Sequence, residues 1–502
     1  MVKTAGSLRY DADVIIAGAG PAGAAAATHL ARLGASVLLL DRVVFPRDKV
    51  CGDFVGPSAL IELDALGVSQ MDGFAAANIG WRGAIYVGGA ELISRPFPAV
   101  TSMPPYGRVI PRFVLDKFIL DAARNAGARV REGCELIHFT ADRDSATVEV
   151  ANSQGSLTLR CRLLIGADGA SSKVARLLRG SAPPRRDRFV ASRAYFTNVE
   201  GPDEQLDLYF DASCLPGYYW LFPTGKGAAN VGLGIAVESL PAHDFTPAAM
   251  LRRLIREDKA LAARLRNARL RGKIAGWPLV TYNHRLPIMS GRVMLIGDAA
   301  GLINPLNGEG IQYALQSASW AAETLAHCLH ADNFSAPALA PFAARVESEL
   351  RYDMALARLI VHLISNRTLA PLWIEVFKIL AGRARRNGSF ADTLAGIFAG
   401  LLPARDVLKL LGGTAGEAAQ TLAAALASPR GWAALGSGTS QIGFRFACEA
   451  AKDPAGLALW LKNASASMAE FGARAAHSGI AGKKKEMFLQ AQKLMQSRFR
   501  IP

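Results

Sequence analysis

The stretch Asp13-Val-Ile-Ile-Ala17-Gly18-Ala-Gly20-Pro-Ala-Gly23 passes from a short apolar run through a glycine turn into an alanine-rich segment that ends near Gly34. It reads as strand, tight turn and helix, because the apolar run has strand length, Gly punctuates it and Ala is the best helix former. Each glycine has its own geometric reason. Gly18 permits the turn, Gly20 lets a pyrophosphate approach the backbone, and Gly23 allows close contact between helix and strand. Phosphates then sit at the amino end of the helix, where backbone N–H groups lack intrahelical partners. Ser36 to Leu40 reads as a second strand ending in Asp41, an acid about 20 residues beyond the glycines and placed to accept hydrogen bonds from an adenosine ribose.

Two later stretches narrow the choice of dinucleotide. Leu163-Leu-Ile-Gly166-Ala-Asp168-Gly169-Ala-Ser-Ser172 reads as a buried strand stopped by a Gly-rich turn, and Val293-Met-Leu-Ile-Gly297-Asp298-Ala-Ala-Gly301 repeats that pattern. A Gly–Asp pair at a strand end offers a carboxylate to a polyol hydroxyl beside backbone amides for phosphate. The continuation Asn304-Pro305-Leu-Asn307-Gly308-Glu309-Gly310-Ile311 presents flexible backbone at the start of a helical run, where amides can hydrogen-bond a planar, electron-accepting ring. Together, Gly18–Gly23, Gly166–Gly169 and Gly297–Ile311 resemble the FAD-binding pattern of the flavoproteins that include aromatic hydroxylases, flavin-dependent halogenases and geranylgeranyl reductases, over roughly residues 10–345. The resemblance implies extended FAD, with Asp41 on the adenosine ribose, Asp298 near the ribityl-pyrophosphate, and Gly310 and Ile311 by the flavin pyrimidine edge. Asp168, Gly297 and Gly308 are further cofactor contacts on this reading.

The segment Arg42-Val-Val-Phe-Pro46-Arg47-Asp-Lys49-Val-Cys51-Gly52-Asp53 resembles the Phe-Pro-Arg-(Asp/Glu)-Lys-x-Cys-Gly segment of the geranylgeranyl reductase family, whose Cys lies near the isoalloxazine. The Gly-Glu-Ser usual in flavin halogenases at this point is absent. The resemblance implies that Arg42, Arg47, Cys51 and Gly52 border the cofactor, with Arg47 and Lys49 near its phosphates. Cys51 is either a small buried hydrophobe or a thiol beside the flavin that protonates a reduced alkene or tunes the ring by contact. A thiol pKa lowered by Arg47 and Lys49 is the expectation for the reactive case.

A second block, Leu215-Pro216-Gly217-Tyr218-Tyr219-Trp220-Leu-Phe222-Pro223, precedes Asn230-Val-Gly232-Leu-Gly234. Tyr218, Trp220 and Phe222 alternate with period two and share one strand face, which lines either an apolar cavity against the flavin or ordinary sheet core. The block resembles the Pro-Gly-Tyr-x-Trp-x-Phe-Pro signature of geranylgeranyl reductases and is related to the Trp-x-Trp-x-Ile-Pro segment of halogenases.

The fold expected is α/β: an FAD-binding Rossmann-like domain with an inserted, mainly antiparallel substrate-binding sheet and a C-terminal helical region. The FAD-binding domain is discontinuous, over residues 1–74, 109–189 and 286–345. Strand-like alternation assigns 75–108 and 190–285 to the substrate-binding domain, and 346–502 forms the helical domain. Arg112 opens a helix-like run from Phe113 to Ala126, its guanidinium facing either the cofactor or a surface salt bridge. In the last third, Met354–Ile364, Leu372–Leu380, Ile397–Leu402 and Asp406–Leu411 are dense in apolar residues but interrupted by Arg and Lys. Such helices lie in a membrane interface, cap a greasy tunnel, or form a soluble domain or dimer surface. Lys483–Lys485 is a further point of contact with anionic lipid, or solvated charge.

At 502 residues, 51% hydrophobic and 20% charged, the chain is long and apolar enough for two or three folded domains, which excludes a disordered or fibrous protein. Cysteines at 51, 134, 161, 214, 328 and 448 form no CxxC, no HExxH is present, and His29, His138, His327 and His330 are isolated, so no metal site is expected. A formal charge of +15 favours anionic partners, yet the cations are dispersed without a base-reading motif, so nucleic acid is not expected. No apolar run precedes the first strand, and no charge-free window reaches about 18 apolar residues, so a cytoplasmic enzyme is expected, with peripheral contact at the inner face of the membrane. The function expected is reduction of carbon–carbon double bonds in a large hydrophobic, prenyl-like substrate by hydride from reduced FAD; the alternative is an FAD-dependent monooxygenase or halogenase. No second GxGxxG follows the first, leaving NAD(P)H at the flavin face or a ferredoxin-like protein as the electron donor.

Overall fold

A computed structural model describes residues 10–99, 102–240, 246–367, 370–392 and 454–477. Strand β1 (Ala12–Ala17) lies between β2 (Val37–Leu40) and β11 (Gly155–Gly166), parallel to both, and all its residues except Asp13 are buried. Beyond them the sheet continues with β18 (Val293–Leu295) and β17 (Met289–Ser290) on one side and β8 (Arg129–Arg131) on the other. The long β11 also pairs through its first half with β10 (Ala146–Asn152), which pairs with β9 (Glu135–Ala141), both antiparallel. Parallel strands buried on both faces need helices against them. Helix α1 (Pro21–Arg32) meets that need and packs on both α3 (Arg112–Asn125) and α8 (Ile311–Ala331). Residues Pro21 to Thr28 of α1 are buried without a break, because its alanines leave no bulk on any side to hold the neighbours away.

Seven strands form a second sheet in the order β16 (Arg269–Val280), β12 (Arg188–Thr197), β15 (Ala228–Ala236), β14 (Tyr218–Gly225), β13 (Gln205–Phe210), β5 (Arg82–Val87) and β6 (Ala90–Pro96). Its pairs are antiparallel except β5 with β13, which come from distant parts of the chain. Tyr209, Tyr219, Leu221, Val231 and Leu233 pack with Met250, Leu251 and Leu254 of α5 (Pro247–Glu257) and Leu261 of α6 (Lys259–Arg264). Trp220, Phe222 and Leu206 belong to a different cluster, with Val50 and Val109, as the period-two alternation requires. A small third sheet, β3 (Phe54–Val55), β7 (Gly107–Val109) and β4 (Asn78–Gly80), lies between the two.

The architecture is therefore the α/β fold that the sequence predicts, with local departures. Of residues 75–108, β5 and β6 join the seven-stranded sheet, whereas β4 and β7 pair with β3 instead. Residues 190–285 contain α5 and α6 as well as strands; α5 buries Met250, Leu251 and Leu254 at helical spacing. No break occurs at 345–346. Helix α9 (Ala336–Ile364) runs through it, because Leu339, Phe342, Val346, Leu350 and Met354 continue one buried stripe into the nucleotide-side core. Met354–Ile364 lies in α9 and Leu372–Leu380 in α10 (Ala370–Arg386), while Ile397–Leu402, Asp406–Leu411 and Lys483–Lys485 fall outside the described residues. Helix α11 (Pro454–His477) packs on α9. Among the described residues, no helix is long and apolar enough to cross a membrane.

Helix α9 is locked to the body by a buried ion pair. Arg358 Nη1 donates to Asp187 Oδ1 at 2.9 Å, while Asn283 Nδ2 donates to Asp187 Oδ2 at 2.5 Å. Replacing Arg358 by Ala strands a buried carboxylate, which costs about 3–5 kcal/mol in comparable pairs. Arg358→Ala is expected to lower the denaturant midpoint and to raise hydrogen exchange in α9 before the central sheet; unchanged exchange in α9 would contradict this account.

Candidate functional site

Three turns at the carboxyl ends of β1, β11 and β18 converge on one cavity of about 950 Å³. At the first, Gly18 adopts φ +103°, and a Cβ there would stand 2.3 Å from the Ala167 carbonyl oxygen. A Cβ on Gly23 would lie 1.8 Å from the Gly18 oxygen, so both positions admit only hydrogen. Gly20 caps α1 without any side-chain hydrogen bond and with no acid in the first turn, leaving the helix amides free to face the cavity. Asp41 closes β2, where Oδ2 accepts from the Ala19 N–H at 2.7 Å and Oδ1 from the Val43 N–H at 3.0 Å. Each oxygen keeps a second lone pair, and Asp41 and the exposed Arg42 both line the cavity.

Asp168 behaves differently from its counterpart. Its carboxylate accepts the Ser172 hydroxyl and the N–H groups of Lys173, at 2.7 Å, and Val174, at 3.2 Å, and so caps α4 (Lys173–Arg179). Asp168 lines the cavity, but its lone pairs serve the turn rather than standing open to a polyol. Asp298, in α7 (Gly297–Ala300), receives Lys49 Nζ at 2.9 Å. Burial alone would raise its pKa, but the Lys49 ammonium and Arg112 guanidinium hold it below the usual carboxylate range. Gly297 and Gly308 have positive φ, and Gly310 caps α8 without a side-chain partner, leaving the amides that start at Ile311 free.

Arg112 is buried, not a surface residue, and grips Asp116 through Nε at 2.6 Å and Nη2 at 2.8 Å. Burial disfavours its charge, but Asp116 more than restores it, so the guanidinium stays cationic. Asp116 also lies 3.0 Å from Arg47 Nη1, which is buried yet forms no aligned hydrogen bond. Arg47, Lys49 and Arg112 thus face the carboxylates of Asp116 and Asp298. Of these cations, Arg47 lies beside the bare amino end of α1, and the two together are the complement of a diphosphate.

Cys51 and Gly52 border the same cavity, opposite Trp220 and Phe222. A Cβ on Gly52 would come within 3.2 Å of the Phe222 ring, so the loop approaches β14 as closely as a backbone can. The thiol does not have the low pKa of the reactive reading. Burial pushes it up and outweighs the opposing pull of Arg112, the largest cationic influence, and Lys49; Arg47 is spent on Asp116. A protonated thiol at neutral pH is a proton donor rather than a nucleophile.

The sequence reading assigned no role to three polar residues behind this loop. Asn230 of β15 donates to the Cys51 carbonyl and to Asp53 Oδ2, each at 2.7 Å, and its Oδ1 accepts from Trp220 Nε1 at 2.9 Å. Tyr195 of β12 donates to Asp53 Oδ2 at 2.5 Å. Their local signal was the Asp directly after Cys-Gly and the Asn directly before Val-Gly-x-Gly, but only the fold brings them together. Glu309 lines the cavity with a carboxyl pushed up by burial to about 7. Tyr218 donates to the Asn307 carbonyl and so ties the aromatic strand to the turn before α8. The same cavity is lined by the apolar side chains of Leu206, Phe210, Trp277 and Leu279, of Leu356, Ile360 and Ile364 in α9 and of Phe377 in α10.

A bare helix terminus, an acid at the second strand and the cations near them form a dinucleotide cradle that opens on an apolar chamber. The chain matches an FAD-binding domain over residues 11–214 and a geranylgeranyl reductase catalytic domain over residues 187–270. It is 37% identical to the menaquinone reductase of Mycobacterium tuberculosis, over 64% of this chain and 78% of that one. It is 30% identical to digeranylgeranylglycerophospholipid reductase 2 of Methanopyrus kandleri, over 67% and 82%. A geranylgeranyl bacteriochlorophyll reductase-like protein from Thermoplasma acidophilum shares the fold, with a TM-score of 0.66, 22% identity and coverage of 80% of this chain and 98% of that one. The chain belongs to the geranylgeranyl reductase family of FAD-dependent oxidoreductases.

FAD fits the site on structural grounds: a Cβ at Gly18 or Gly23 would destroy the turn, and Arg47 Nη2 lies beside Gly20 at the amino end of α1. Gly23→Ala is expected to yield protein with less than roughly a tenth of the bound flavin, because α1 must move off β1 to admit the methyl group. Flavin absorbance per protein reads this directly, and full occupancy would refute it.

Proposed function

We propose that the enzyme saturates carbon–carbon double bonds in the isoprenoid chain of a lipid, with menaquinone and digeranylgeranylglycerophospholipids as the candidate substrates. The observation that carries this reading is the continuity of one cavity, from the bare end of α1, past Cys51, into an apolar arm under α9 and α10. Gly18, Gly20, Gly23 and Arg47 would hold the diphosphate, Asp41 the adenosine ribose, Asp298 the ribityl side, and the amides from Gly310 and Ile311 the pyrimidine edge. Bound FAD in its reduced form supplies the hydride.

The residues of the chain do the rest. Tyr218, Trp220 and Phe222 exclude water and hold the alkene beside Cys51, with the loop kept in place by Gly52 packed on Phe222 and Trp220. Cys51 keeps its proton because its thiol is buried, and it delivers that proton to the carbon opposite the one receiving hydride. Under anaerobic conditions, reduced enzyme should be oxidised in a single turnover by one of the two lipids; a strict need for oxygen, with an oxygenated or halogenated product, would favour the monooxygenase or halogenase reading. Cys51→Ala should retain FAD and slow that oxidation by about 10²–10⁴-fold, the usual worth of a positioned acid. An unchanged rate would reduce Cys51 to packing.

We also propose a cytoplasmic enzyme that meets the membrane peripherally. The apolar arm lies against α9 and α10, so a lipid chain enters from that side, and a net charge of +15 draws the protein to anionic headgroups. Full-length protein should sediment with anionic vesicles, less so at high salt and less with neutral ones. Protein left in the supernatant with every vesicle would overturn the proposal.

A further inference from the structure

Asp53 lines the cavity directly after Cys51 and Gly52, yet the cofactor cradle has no use for it. Its side chain is fully buried, and its φ of 63° places a residue bearing a Cβ in the left-handed region. Strain of this kind gathers at functional sites. Tyr195 and Asn230 both donate to Oδ2, whereas Oδ1 is buried without a hydrogen-bond partner. A lone buried carboxylate oxygen is costly unless it carries a proton or meets a donor. Asp53 follows Cys51 by two residues and lines the same cavity, so carboxyl and thiol belong to one short loop.

We propose that Asp53 is the proton reservoir of the site: its Oδ1 returns to Cys51 the proton that each alkene saturation withdraws. The proposal rests on the reading of Cys51 as the proton donor. Bound FAD in its reduced form would supply hydride to one alkene carbon; the other forms a C–H bond as the Cys51 S–H bond breaks. The alkene is reduced, the flavin oxidised, and a thiolate remains. The Asp53 Oδ1–H bond then breaks as S–H re-forms, and a proton from bulk solvent restores the carboxyl between turnovers.

The surroundings set the direction of transfer. Asp53 is faced by Tyr195 and Arg193 of β12, Asn230 of β15, Arg112 of α3, and Cys51 itself. Burial raises Asp53 to about 6 against the pull of those donors and cations, and burial raises Cys51 above an ordinary thiol, so a proton moves downhill from carboxyl to thiolate. A carboxyl raised in this way is protonated below its pKa and empties above it. Repeated turnover should therefore fall as pH rises through about 6, while the first turnover, which uses the proton already on Cys51, should not.

The test uses dithionite-reduced holoenzyme with menaquinone or the digeranylgeranylglycerophospholipid, whichever oxidises the wild type. Asp53→Asn suits the left-handed backbone, and its carbonyl can keep both hydrogen bonds at Oδ2. The variant is expected to complete its first turnover within about twofold of wild type, to lose roughly tenfold or more in later turnovers, and to lose the pH dependence near 6. Equal loss in first and later turnovers, or no loss, overturns the relay. Cys51→Ala is run beside it: an unchanged first turnover there shows that the Cys51 reading itself has failed. If Asp53→Asn does not retain flavin, the wild type decides, since later turnovers that are flat between about pH 5 and 8 also overturn the relay.

Discussion

Everything in the nucleotide half depends on α1 lying against the end of β1 with no side chain between them. Gly18 and Gly23 touch backbone where any Cβ would collide, and the alanines that follow are buried on every side of the helix. That contact aims the first turn of α1 into the cavity with its amides unpaired. A longer side chain at either glycine would tilt the helix and turn those donors elsewhere. Charge selection follows from the same geometry, because an uncapped helix terminus favours an anion.

The cations near that terminus are arranged so that they neither cancel nor wander. Asp116 holds Arg112 in a two-point grip and keeps Arg47 close without an aligned hydrogen bond, while Lys49 is held by Asp298. Two carboxylates thus position three cations, and Arg47 is left beside the helix end where phosphate is wanted. The same cations explain why burial does not drive Asp298 to protonate but does raise Cys51: Lys49 is in direct contact with the first and acts on the second only at a distance.

The two sheets meet through polar contacts at the mouth of the apolar chamber. Asn230, fully buried, uses both amide hydrogens and its oxygen to join β15, the Cys51–Asp53 loop and Trp220. Tyr218 makes the corresponding link to the turn before α8. Movement of the aromatic wall therefore carries the cysteine loop and that turn with it. Below the mouth the lining is apolar, and the last of it comes from α9 and α10, so the far end of the chamber belongs to the helical region rather than to either sheet.

The glycine turns, the acid at the end of β2 and the alternating aromatics were legible in the chain because each is a local pattern: a steric demand on one residue, or a period set by a single strand. These were enough for the fold class and for the glycine turns and aromatic strand that border the cavity. The roles of individual charges were not legible. Asp168 and Asp298 stand in similar Gly–Asp turns, yet one caps α4 and the other binds Lys49, a partner 249 residues away. The end expected for the nucleotide domain near 345 fell inside α9, because a helix continues wherever a buried stripe finds packing on either side. Arg112 went from an undecided side chain to a buried one, and Cys51 from a thiol of open character to one whose pKa burial raises. Both depend on burial and on charges brought in from other elements, and neither quantity exists until the chain has folded.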